Sequence, residues 1–230
     1  MKTKLLLLTM AVLPAFATQV YDYRSQANEA LGTFPNFGVW GQVFTAPAGA
    51  SELSEFAFLS YIINPAPFKS TVFYPYVMAW DGAEATGSIL YQGSLTTMVE
   101  QYQPPTEYDQ FPNIPVTPGE QYVFFISGDQ ADESTGGSVY FEHVTPNPYS
   151  GGNAVAIHSS NFSDVTGTPW TVEPDTALAF ELVFDAVPEP SSWLLMSTAL
   201  GLLVYFCFGR TSRISAADVR PPCDWTTVEK

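Results

Sequence analysis

The stretch "TALAFELVF" (Thr176 to Phe184) sets Leu178, Phe180, Leu182 and Phe184 at every second position. Side chains along a strand point alternately to its two faces, so this spacing gathers the apolar groups on one side and specifies a half-buried β-strand. Comparable runs precede it. They are "SELSEFAFLSYII" (Ser51 to Ile63), "TVFYPYVMAW" (Thr71 to Trp80), "SILYQGSL" (Ser88 to Leu95), "EQYVFFIS" (Glu120 to Ser127), "GSVYFEHV" (Gly137 to Val144) and "NAVAIHS" (Asn153 to Ser159). In the first, Phe56, Phe58 and Ile62 share one face and Glu55 and Ala57 the other. Proline and glycine punctuate the chain about every eight to twelve residues, the turn rhythm of an all-β sandwich. Capped helical spacing is absent before Val187. The predicted class is all-β: a single jelly-roll-like antiparallel β-sandwich over residues 18–186. Pro75 marks an edge or a bulge, because proline cannot donate to a ladder. The proline-rich Gln103 to Glu120 reads as a long crossover loop with one short edge strand.

Both ends of the chain are of another kind. Residues 1–17 have a basic start (Lys2, Lys4), an apolar run (Leu5 to Leu13) and Ala15-Phe16-Ala17. That is the order of a secretory signal peptide, with cleavage predicted after Ala17. Trp193 to Phe208 carries no charge. As a helix rising about 1.5 Å per residue it approaches the hydrocarbon thickness of a bilayer, and a transmembrane helix is predicted there. Arg210 and Arg213 follow and are expected to stay cytoplasmic, leaving the preceding domain outside.

Charge narrows the partners. Between Thr18 and Val187 nineteen Asp and Glu stand against Arg24 and Lys69 alone, a formal −17. Such a segment repels phosphates, so no nucleic-acid partner is expected. The abundant Tyr, Phe and Trp argue for a packed core rather than disorder. Both cysteines, Cys207 and Cys223, lie beyond this segment, which therefore has neither a disulfide framework nor a cysteine-ligated zinc site.

The order Val187-Pro188-Glu189-Pro190, apolar run, Arg210 resembles that of PEP-CTERM proteins. The resemblance implies a sorting signal over residues 187–213, read by a membrane protease-transpeptidase of the exosortase type. Cleavage near the motif would remove the helix and pass the domain to the cell surface or extracellular matrix, where such proteins accompany exopolysaccharide, biofilm and floc formation. The physical reading agrees: Pro188 and Pro190 lack an N–H and fix φ, so the segment stays extended. Glu189 is its one charge. Residues 214–230 depart from the family pattern, show no periodicity and are expected to form a short disordered cytoplasmic tail. The domain itself is similar to a group of β-sandwich domains common in PEP-CTERM proteins, over about Gly41 to Phe184. The matching runs are "YVMAWDGAEATGSILYQG", "VTPGEQYVFFIS" and "YSGGNAVAI".

Catalytic chemistry leaves little trace. There is no Gly-x-Ser-x-Gly elbow, and His143 and His158 lie in strand-like runs. No enzyme is predicted. Asp81-Gly82 between two strands reads as a hairpin turn. The alternative is a calcium site using Asp81 and Glu84, with a second acidic loop at Asp129, Asp132 and Glu133, since calcium takes hard oxygen ligands. Trp170, beside Thr168-Pro169, and Trp40 are candidate carbohydrate contacts, because an exposed indole stacks on sugar rings. The expectation is an exported surface or matrix protein with a structural or interaction role. A carbohydrate-binding module stands second, and a permanently anchored single-pass protein or a glycan-active enzyme third.

Overall fold

The run Thr176 to Phe184 is two strands, because its neighbours differ along its length. Ala177–Leu178 pairs with one partner, Phe180–Ala186 with another, and Ala179 is the step between them. The Ala179 amide donates to the Glu142 carbonyl at 2.7 Å and its carbonyl accepts from Leu59 at 3.1 Å, so no backbone group is lost at the step. Leu178, Phe180, Leu182 and Phe184 are all buried, as the alternation requires.

The computed structural model describes residues 18–32, 38–63, 70–99, 104–127, 138–159, 162–186 and 196–204. In chain order the strands are β1 Gln19–Asp22, β2 Glu29–Gly32, β3 Val39–Thr45, β4 Ala50–Ile63 and β5 Ser70–Trp80. They continue with β6 Ala85–Gln92, β7 Thr96–Val99, β8 Thr106–Gln110, β9 Ile114–Pro115 and β10 Gln121–Ser127. The last are β11 Ser138–Val144, β12 Ala154–Ile157, β13 Thr171–Val172, β14 Ala177–Leu178 and β15 Phe180–Ala186. They form two antiparallel sheets. The first runs β1-β15-β4-β11-β14, with β2 on β11 and β8 and β9 on β4; the second runs β13-β12-β3-β10-β5-β6, with β7 on β5. The fold is therefore an all-β, two-sheet antiparallel sandwich.

Its main core lies between the sheets, where Phe44, Phe56, Phe58, Phe124, Phe180 and Phe184 meet. Removing each such ring from water stabilises the fold by about 2–3 kcal/mol before entropic costs. A second core covers the other face of the second sheet. Val123 and Phe125 of β10 pack there with Met78, Trp80, Val165 and Trp170. Both faces of β10 are thus buried, which is why "EQYVFFIS" is a continuous apolar run rather than an alternating one. The segment that closes this second core is a 3-10 turn, Phe162–Thr166, with Val165 inserted.

Pro75 sits at neither an edge nor a bulge: it lies inside β5 in register with Ile126, and the register shift of that strand falls between Val77 and Ala79. β5 is interior, held by β10 on one side. On the other side its partner changes from β7, ending at Phe73↔Thr96, to β6, starting at Tyr76↔Gln92. Pro75 falls in that gap, where its missing N–H breaks no ladder bond to β6 or β7 and its carbonyl accepts from Gly93 at 2.9 Å. The proline-rich crossover holds more strand than expected: β8 and β9 both pair with β4. β3, which the period-two search passes over, is central to the second sheet. It is buried throughout all but its last residue, so its sequence does not alternate.

Residues 16–187 form one unit of the chain. Of the other, only 196–204 are described, and they are helical and exposed. No helix among the described residues is long and apolar enough to cross a membrane. The remainder of the predicted span, and the predicted signal peptide, lie outside the described residues.

Candidate interaction surface

The predicted site residues divide sharply. Trp170 and Trp40, expected as exposed sugar contacts, are each only 5% exposed. Trp170 fails as a platform because its loop folds back over the second sheet: the indole meets Trp80 and Phe125 edge-on at 5.6 and 5.4 Å, and its Nε1 donates to Val165 O at 3.0 Å. Trp40 faces the main core and stacks on Phe141. The turn reading of Asp81 is the one observed. Its Oδ1 accepts from the Ala83 and Glu84 amides, both at 2.9 Å, which holds its carboxyl below the usual range. Gly82, at φ +105°, supplies the left-handed residue that the β5–β6 connection requires. Among the described residues no group of three or more His, Cys, Asp or Glu is arranged to hold a metal. Asp129, Asp132 and Glu133 lie outside the described residues, as do Val187, Pro188, Glu189, Pro190, Arg210 and Arg213.

Residues of the run "YSGGNAVAI" are spent on structure. Tyr149 is buried, donates to Thr45 O at 3.4 Å and accepts from Thr45 N at 3.2 Å; burial pushes its hydroxyl up to about 12. A Cβ on Gly152 would strike the Val43 backbone, so this glycine lets the loop lie against β3. His143 is buried and its Nε2 lies 3.2 Å from Glu29.

What remains open is the outer face of the first sheet. Residues paired in register share a face, and Asp22, Glu181, Ala57 and Asp109 form one row across β1, β15, β4 and β8. Glu107 follows in the next row, opposite Leu59. Arg24 lies over these rows. Its guanidinium contacts Glu181 at 2.6 Å, Asp22 at 2.9 Å, and Glu107. The hydrogen bonds from Arg24 hold the Asp22 carboxyl below its ordinary value, and the Arg24 pKa rises for the same reason. Glu55 is raised by burial, with the Glu181 and Asp109 carboxylates nearby outweighing the Arg24 charge. No local pattern around Arg24 assigns it a role. Its rarity in a segment of nineteen acidic residues was the available signal.

Beside this cluster is a groove of about 440 Å³ whose lining includes Arg24, Asn28, Glu29, Leu59, Tyr61 and Glu142. Tyr61 is stacked on Tyr140, centroids 5.4 Å apart and planes 12° from parallel. Burial raises the Glu142 carboxyl above its ordinary value. Chemically the surface accepts hydrogen bonds and disfavours anions.

No family model matches the sequence, and no curated protein matches it. Solved structures give distant likenesses. One is the cysteine protease and lectin-like domains of Cwp84, a surface layer associated protein of Clostridium difficile, at 8% identity and TM-score 0.49, over 74% of this chain and 36% of that one. Another is clostridial Cwp84 after propeptide cleavage, at 9% identity and TM-score 0.47, over 74% of this chain and 40% of that one. At these values neither bears on activity.

Proposed function

We infer that this chain is an exported, non-enzymatic protein of the cell surface or extracellular matrix, sorted through its C-terminal segment. The observation that carries the reading is the order Val187-Pro188-Glu189-Pro190, apolar run, Arg210 and Arg213, behind a secretory-type N-terminus. The fold is consistent with it: β15, the last strand among the described residues, ends at Ala186, immediately before the motif. In this reading the leader is cut after Ala17. The precursor is held in the inner membrane by Trp193 to Phe208 with its C-terminus cytoplasmic, and an exosortase-type enzyme releases the domain to the surface. The jelly-roll-like domain then serves a structural or interaction role in the envelope or exopolysaccharide matrix. The intact mass of protein recovered from the cell surface tests this. A mass lacking residues 193–208 is expected; one that retains them replaces sorting with a permanent single-pass anchor.

The groove favours a second reading, a carbohydrate-binding module. Tyr61, 9% exposed, lines the groove with the acceptors Glu29 and Glu142, a combination suited to sugar hydroxyls. Retention on isolated exopolysaccharide, compared between wild type and Tyr61→Ala, measures it; equal retention removes the groove from consideration.

A further inference from the structure

The two ends of the exported domain meet in one place. β1 pairs antiparallel with β15 in the register Gln19↔Phe184 to Asp22↔Glu181, so Thr18 arrives beside Asp185. The Thr18 Oγ1 donates to Asp185 Oδ1 at 3.3 Å. Ser51 Oγ holds the Asp185 carbonyl at 3.1 Å, and Gln19 Nε2 reaches Ala48 O at 3.0 Å. At its far end β1 is already clamped: Tyr23 N donates to Phe180 O at 2.9 Å, and Arg24 bridges Asp22 and Glu181. β1 has only four residues and, among the described residues, a single partner strand, so its near end depends on the contacts at Thr18.

The α-nitrogen of Thr18 is three bonds from the Oγ1 that touches Asp185, and it belongs to the residue that the register sets opposite Asp185. In the uncut chain that nitrogen is a neutral amide. Hydrolysis of the Ala17–Thr18 peptide bond leaves a carboxylate on the leader and an amine, protonated at neutral pH, on Thr18. The charged groups facing this position are Asp185 itself and Glu52, which stands opposite it on β4. β1 contributes no charge at this end, its residues here being Thr18, Gln19 and Val20, and β9 presents Pro115 opposite Glu52. The new cation therefore meets carboxylates.

We propose that leader cleavage after Ala17 creates the closing contact of the fold: the Thr18 α-ammonium pairs with Asp185 and fastens β1 onto β15, the strand that runs into the sorting motif. The proposal rests on the export reading, and it makes removal of the leader the step that secures the base of the C-terminal signal.

The sign of the pH dependence follows. An amine that gains a carboxylate partner on folding has its pKa raised above an unfolded value of about 8. Its contribution is complete below that value and is lost as pH rises through the raised one.

The full chain is expressed in an exporting host and the released protein is compared with Asp185→Asn and with a form carrying one glycine inserted between Ala17 and Thr18. The insertion moves the ammonium by about 3.5 Å without altering the sheet. Wild type is expected to start at Thr18. It should melt about 2 °C above both variants at pH 7, and the three should converge by about pH 10. A start elsewhere, equal melting at pH 7, or a gap that persists unchanged at high pH would each overturn the pairing. Retention of residues 193–208 in the same intact mass would count against sorting and leave this result untouched.

Discussion

Gln42 on β3 accepts a hydrogen bond from the Leu178 amide of β14 at 2.9 Å, joining one sheet to the other through the interior. Its Nε2 donates to Val43 O at 2.9 Å, so a fully buried amide side chain has an acceptor and a donor engaged. Replacing it with leucine strands the Leu178 N–H away from water. Gln42→Leu should cost about 2 kcal/mol, lowering the melting temperature by roughly 4–8 °C. Thermal unfolding with unchanged stability would show that Leu178 finds another acceptor.

Trp170 closes the second core against Trp80 and Phe125. Trp170→Ala removes most of that cover and should cost about 3–5 kcal/mol, with Trp170→Phe losing less because the apolar contacts largely survive. Denaturant titration separates the two. A side chain serving only as a surface platform would leave the midpoint where it was.

Arg24 neutralises a row of carboxylates, and Asp22 is held below its ordinary 3.8 chiefly by hydrogen bonding from it. A depressed carboxyl contributes stability above its unfolded pKa and loses it as pH falls through the folded one. Arg24→Met keeps the aliphatic stem and should destabilise the domain by about 1 kcal/mol at neutral pH, a figure kept small because solvent screens these half-open side chains. The gap should narrow in about 1 M salt, and should shrink progressively as pH falls below about 4. Melting curves across pH and salt read both effects.

Glu142 has the opposite sign. Burial raises its carboxyl above 4.5, so the charged form opposes folding at neutral pH and the penalty fades as pH falls through the raised value. Glu142→Gln should raise the melting temperature by about 1–2 °C at pH 7 and have no effect below about pH 4. A destabilised Glu142→Gln protein at pH 7 would mean that the carboxylate is stabilised by a contact rather than merely buried.

Much of the architecture was legible because alternation reports a strand with one wet face. Leu178, Phe180, Leu182 and Phe184, and Phe56 with Phe58, identified their faces correctly for that reason. The same rule passed over β3, where burial on both sides erases the alternation. It merged β14 with β15, since a change of partner at Ala179 leaves no mark on the spacing.

Local pattern and composition were enough for the class of fold, the turn at Asp81-Gly82, the interruption at Pro75 and the acidity of the surface. These rest on local backbone geometry or on composition, and neither needs a distant neighbour. Which tryptophans are covered depends on long-range packing. Trp170 follows Thr168-Pro169 and reads as surface, yet it is buried because the loop after β12 returns over β10 and β5. Tertiary pairing also brought Arg24 to Glu107 and Glu181, and Thr18 to Asp185. Residues 167 positions apart can be neighbours only when the first strand and the last share a ladder, and that is a property of sheet order that no local pattern encodes.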